Sequence, residues 1–329
     1  MAGNPTTTFG SDRPEPLFHV RALGPDAAYQ LADITKTRAQ FGALSPRWPT
    51  RFLEFKALPT AVYRVNRVNE DNEQPDTLCG KDDPLGNEIP QGFIPYQSAP
   101  REQRLSCIST IVNVDTRVQD SWSQPYDQTS EQIALAVEAL KERQETQLLN
   151  NPEYGLLHNL ADGMTIPTRH GPPTPDDLDD LLSMVWKEPS FFLAHPRALA
   201  AFERECTKRG VPPETTDMNG GRFLLWRGVP IVPTDKLYVE GEQRPRGPGG
   251  RTSVLLVRTG ESRRGVLGLY QAGAPGEQSR GLSLRLRGID DHGVASYLLN
   301  LYCAAAVLSD DALACLSDVD VGVYNDPRV

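Results

Sequence analysis

The chain has 329 residues, 39% of them apolar and 23% charged, enough apolar material for a real core in one large domain or two to three compact ones. Lys plus Arg number 34 against 43 Asp plus Glu, a formal charge of −9. That balance disfavours coating nucleic acid through phosphate neutralisation. No run approaches the roughly 20 apolar residues that cross a bilayer, and Met1 to Asp12 lacks the basic and apolar regions of a secretory signal. Neither nucleic acid nor membrane is an expected partner, and the expected compartment is the cytoplasm.

Residues 1–25 are rich in Thr, Pro and Gly and read as an arm, followed by a short helix between Ala27 and Lys36. Ala61 to Val68 reads as a strand, and so does Arg104 to Val114 with Leu105, Ile108, Ile111 and Val112. Between them, Asn69 to Arg101 is a polar stretch of Asp, Asn, Pro and Gly, unusually long for a loop within a compact domain. Two strands joined in this way predict an extended hairpin that either waves freely or lies on a neighbouring subunit.

A long amphipathic helix follows. Thr129 and Ser130 supply N-cap oxygens, Ile133, Val137, Leu140 and Leu148 share one face, and the helix ends before Pro152. The opposite face, with Glu138, Lys141, Glu142 and Glu145, is expected to be solvated. A second helix opens at Thr174-Pro175-Asp176-Asp177 and carries an apolar stripe of Leu178, Leu181, Leu182, Val185 and Trp186. Its aspartates, Asp179 and Asp180 included, read more simply as helix-end charge than as a metal site. A third helix spans about Pro196 to Lys208, with Gly210 as its C-terminal cap. The last third reads as mainly β: a hairpin of Arg222 to Trp226 and Val229 to Pro233 around Arg227-Gly228, strands at Ser253 to Val257, Gly265 to Tyr270 and Leu282 to Leu286, a long strand within Val294 to Leu308, and a helical turn at Asp310-Asp311.

The five cysteines, Cys79, Cys107, Cys206, Cys303 and Cys315, are odd in number and widely spaced, which argues against a disulfide framework. None of the five histidines belongs to a short metal-ligand spacing, and there is no GxSxG elbow or P-loop. His170 and His195, both beside Pro or Gly, read as structural. A Cys–His pair meets only in the fold, so that alternative stays open. No metal, cofactor or catalytic residue is expected. A long chain without a chemical motif, but with an arm and a polar hairpin, turns the question from catalysis to assembly.

The residues carry a resemblance spread along most of the chain. Its pieces are Gln30-Leu31-Ala32, Ser45-Pro46-Arg47-Trp48, Tyr63-Arg64-Val65-Asn66-Arg67-Val68, Ser98 to Arg101, Asn151-Pro152-Glu153-Tyr154-Gly155, Pro173-Thr174-Pro175-Asp176-Asp177, Pro189-Ser190-Phe191-Phe192, Arg258-Thr259-Gly260-Glu261 and Leu308-Ser309-Asp310-Asp311. In order and spacing the chain resembles family 2 encapsulins, of the type 2A-like form without a cyclic-nucleotide-binding domain. These are shell proteins with the α+β fold of tailed-phage major capsid proteins.

The resemblance implies an N-terminal arm over 1–60, a strand–E-loop–strand unit over 61–114, and a P-domain spine helix with its following segment over 115–172. It further implies an A-domain over 173–290 and a return to the P-domain over 291–329. It implies self-assembly into a closed icosahedral T=1 nanocompartment around a cargo enzyme. That cargo would be a cysteine desulfurase of sulfur metabolism or, as an alternative, a terpene cyclase; a second shell protein is a further possible partner. A prophage-type major capsid protein is the competing reading. The residues implied in assembly by arm and E-loop are Trp48, Tyr63, Arg64, Asn66, Arg67, Gln74, Asp83, Gln91 and Arg101.

Overall fold

The computed structural model describes residues 46–65, 101–115, 128–241 and 250–324. The helix expected between Ala27 and Lys36, and the residues Asn66, Arg67, Gln74, Asp83, Gln91 and Cys79, lie outside the described residues, as does most of the Glu240 to Arg251 loop.

Helices and strands are mixed, as an α+β fold requires. The first elements are α1 (Trp48–Phe52), β1 (Phe55–Leu58), β2 (Val62–Val65), β3 (Arg101–Arg104), β4 (Ser106–Asp115) and α2 (Gln128–Asn150). The second group is β5 (Thr165–Pro167), α3 (Pro175–Met184), β6 (Phe191–Ala194), α4 (Pro196–Arg209), β7 (Glu214–Met218), β8 (Gly221–Trp226) and β9 (Val229–Pro233). The third is β10 (Arg251–Val257), β11 (Val266–Gln271), β12 (Glu277–Ser279), β13 (Leu282–Ile289), β14 (Val294–Val307) and β15 (Leu313–Asp320). The chain is already helical at Gln128, so Thr129 and Ser130 fall in the first turn of α2 rather than at its cap.

One sheet is built on the 14-residue β14. One edge of β14 takes β4 along Val294–Cys303; β13 pairs its Ala295–Leu301 and β11 its Cys303–Val307. A second, seven-stranded sheet runs β5-β15-β10-β6-β9-β8-β7. Strands β2 and β3 form a separate antiparallel ribbon with Val62 opposite Arg104 and Val65 opposite Arg101. A ribbon is therefore present, but its second strand is Arg101–Arg104; most of the predicted partner strand, Arg104 to Val114, is β4 and pairs with β14 instead.

Local chemistry explains the strongest elements. Thr174 and Asp177 form a reciprocal capping box: the Thr174 hydroxyl accepts from the Asp177 N–H, and the Asp177 carboxylate accepts from the Thr174 N–H at 2.9 Å. Helix α4 ends where Gly210 turns left-handed at φ 71°. Arg227 and Gly228, at φ 50° and 82°, supply the two positive-φ positions of a tight hairpin turn, so Trp226 pairs directly with Val229.

Among the described residues the core has three parts. One lies between the two sheets and the end of α2, around Leu148, Leu149, Tyr154, Leu255 and Leu267. A second lies under α3 and α4, around Leu181, Phe192, Phe202 and Leu316. The third packs Leu140 of α2 on Leu282, Leu299 and Leu301. Trp186 departs from the expected stripe: it is 70% exposed beyond the end of α3, and Val185 alone turns inward there.

Candidate assembly site

Of the residues implied in assembly, Trp48, Tyr63, Arg64 and Arg101 are described, and they lie close in sequence to residues 1–45 and 66–100, which are outside the described residues.

The β2–β3 ribbon is tied to the body by a three-residue cluster. The Tyr63 hydroxyl donates to Glu261 Oε1 at 3.2 Å, and the Lys56 ammonium bonds the same oxygen. Lys56 Nζ also lies 5.1 Å from the centre of the Tyr63 ring. The hydrogen bond between Lys56 and Glu261 moves both groups outward, the ammonium above its ordinary value and the carboxyl below. Burial pushes the Tyr63 hydroxyl up. On the ribbon itself Arg64 pairs with Glu102 at 3.1 Å in an exposed position, and Arg101 closes the register opposite Val65. Lys56 and Glu261 carry no motif of their own. Only the Arg258-Thr259-Gly260-Glu261 piece of the resemblance marked that corner.

The α1 segment is held by the face of α2 that was expected to be solvated. That expectation is corrected: Glu138, Glu142 and Glu145 are engaged. Arg47, just before α1, pairs with Glu138 and reaches Glu142 at 3.7 Å. Lys236, after β9, binds Glu142 at 2.6 Å. Glu145 is 1% exposed and faces the Thr50 backbone N–H at 3.5 Å and its hydroxyl at 3.4 Å. Burial raises the Glu145 carboxyl to about 7, helped by nearby Glu142; the Thr50 N–H, Lys236 and Arg47 oppose the rise. The partners come from sequence-distant elements, so no local pattern announced them.

Trp48 opens α1 and packs within its own chain. Its ring meets Phe223 edge-on at 4.9 Å, and Arg51 lies 5.0 Å from the ring centre. The aspartates of α3 are each engaged by protein groups: Asp176 by Arg209, Asp177 by the cap, Asp179 by Trp226 and Arg227, Asp180 by Arg169. His195 caps α4 by accepting from the Arg197 N–H at 3.1 Å. Cys206, Cys303 and Cys315 are buried free thiols pushed up by burial, Cys206 and Cys315 to about 11 and Cys303 to about 12.

A sheet built on one very long strand, a long helix packed on it and a separate β2–β3 ribbon make up a viral-capsid-like fold. The Microbacterium phage Oxtober96 structure shares this fold at a TM-score of 0.55 and 12% identity, over 82% of this chain and 90% of that one. The family is given by closer relatives. Residues 64–323 match the model of the SrpI-like type 2A encapsulin shell proteins. The type 2A encapsulin shell protein SrpI of Synechococcus elongatus is 51% identical over 307 residues, covering 93% of this chain and 97% of that protein. The cryo-EM structure of the holo-SrpI encapsulin complex from that organism matches with a TM-score of 0.77 at 48% identity, over 94% of this chain and all of that one. The chain belongs to the type 2A encapsulin shell protein family. It is a shell subunit that assembles with copies of itself into a compartment, a structural protein rather than an enzyme.

Proposed function

We propose that this subunit builds a closed icosahedral shell of T=1 size around a cysteine desulfurase, with Asn69 to Arg101 acting as an E-loop laid on an adjacent copy and 1–60 as an interlacing arm. In this reading α2 is the P-domain spine, residues 173–290 build most of the A-domain, and 291–329 return to the P-domain. The observation that carries the reading is the full-length likeness to the SrpI complex. The β2–β3 ribbon supports the E-loop role, because Lys56, Tyr63 and Glu261 tie the start of the ribbon to the body. Reaching segments add contact area between copies, and several modest contacts per subunit hold a shell together. The acidic charge of −9 supports protein rather than nucleic acid as content. The cytoplasm is the compartment proposed for the particle.

Native particles purified from the source cell test the content. Mass spectrometry should find a cysteine desulfurase in stoichiometric amount, with desulfurase activity inside the shell. A terpene cyclase, or packaged nucleic acid, in its place would overturn the cargo assignment while leaving the shell intact. Removing Gln74 to Gln91 should leave a folded subunit that no longer forms the wild-type particle; unchanged particles on a sizing column would overturn the E-loop role.

A further inference from the structure

A cleft of about 380 Å³ opens between α1, α2 and the β12–β13 turn, beside the contact of the α1 segment with α2, and shares Arg47 and Thr50 with it. That is within the ~300–1,000 Å³ range of small-molecule sites. Its walls carry four cationic side chains, Arg47, Arg51, Lys141 and Arg280, and no carboxylate. Arg47 and Lys141 are partly neutralised by Glu138 behind them. Arg51 and Arg280 are exposed and form no ion pair among the described residues.

Two further groups at the site are polar and unpartnered. The Gln144 side chain, nine-tenths buried, makes no hydrogen bond among the described residues, and its residue lines the cleft. The Nε of Arg47 is fully buried without a hydrogen-bond partner, although the Nη2 of the same guanidinium pairs with Glu138. A buried donor such as the Arg47 Nε is costly unless something accepts from it. Phe55, Leu282 and Leu301 give the same cleft an apolar part.

We propose that this cleft binds a small molecule bearing a phosphate or sulfate group. Guanidinium groups match the oxygens of such a group with paired N–H donors, an ammonium adds charge, and a neutral amide donates where a further cation would repel. The apolar patch would receive an organic portion of the ligand. Its walls come from the root of the expected arm, the long helix and the sheet, so an occupant would bridge all three.

The test is isothermal titration of full-chain particles with inorganic phosphate and, separately, with sulfate, in chloride buffer at constant ionic strength. The wild type should bind in a saturable manner with one site per chain. Replacing both Arg51→Ala and Arg280→Ala should weaken binding by about tenfold or more, because both unpaired guanidinium groups are lost. Gln144→Leu should weaken it without removing any charge, and Arg287→Ala, an exposed arginine outside the cleft, should leave it unchanged. Both arginines being exposed, the double variant should still fold, which its thermal melt in phosphate-free buffer checks. No saturable binding of either ion would overturn the proposal. So would equal weakening by Arg287→Ala, which would indicate a diffuse surface field.

Discussion

The Trp48 indole lies against the bare Cα of Gly221: a Cβ built there would stand 2.6 Å from the ring and 3.0 Å from Phe223. The first residue of α1 is thus seated on the first residue of β8, and a side chain at position 221 would displace it. Gly221→Ala should destabilise the subunit by about 1–3 kcal/mol through overpacking. In combination with Trp48→Ala the alanine should cost at least ~1 kcal/mol less than it does alone, since the clash partner is gone. Denaturant unfolding of the two single variants and the double measures this; additive effects would show that the contact is not the cause.

Glu145 makes stability depend on pH in an unusual direction. Its folded value of about 7 stands above the ordinary 4.5, so the folded state holds the proton more tightly than the unfolded one. The associated stability is fully present below about pH 4.5 and is lost as pH rises through 7. Glu145→Gln keeps an acceptor for Thr50 and removes the titration. The variant should match the wild type near pH 4.5 and exceed it at pH 8 by on the order of 3 kcal/mol. A pH-independent difference between the two proteins would refute the assignment.

Asp311 works in the opposite sense. Burial favours its neutral form, but hydrogen bonds from Arg258 at 2.6 Å, from Ser309 and from Lys187 outweigh this and hold the carboxyl well below the usual range. Its contribution is present above the ordinary carboxylate value and lost as pH falls through the depressed one. Asp311→Ala strands the Arg258 guanidinium, only 3% exposed, in the junction between the two sheets. The loss should be about 1–3 kcal/mol at pH 7 and should shrink in strong acid, as read by thermal melts across pH.

Glu261 should separate assembly from folding. Lys56 and Glu261 are 36% and 47% exposed, so Glu261→Gln should change subunit stability by less than about 1 kcal/mol. It releases the β2–β3 stem from its anchor, and sedimentation should show fewer or less uniform particles. Wild-type particles from this variant would mean that the stem needs no anchor.

Much of the architecture was legible wherever one short stretch of chain carried its own reason. The Thr174 capping box, the Gly210 stop, the Arg227-Gly228 turn and the length of α2 each follow from residues within a few positions of one another. Strands β6 and β15 were not legible. Phe191–Ala194 is buried at every position and Leu313–Asp320 at most, so neither shows the alternation that marks a one-sided strand. The candidate site divides in the same way. Tyr63 and Arg64 stand on the predicted first strand, whereas the pairing of Lys56 with Glu261 and of Arg47 and Lys236 with α2 was met only in the fold.

By itself the sequence determined the class of elements, the start of α3, the stop of α4 at Gly210 and, through resemblance along its length, the shell family. Only the tertiary structure decided what covers the charged face of α2. A row of Glu138, Glu142 and Glu145 reads the same whether water or protein meets it. Arg47, Thr50 and Lys236 come from chain segments some 90 residues away on either side. Their arrival turns a solvated helix face into a buried, titrating seam, because desolvation and pairing are properties of the assembled environment and not of the residue.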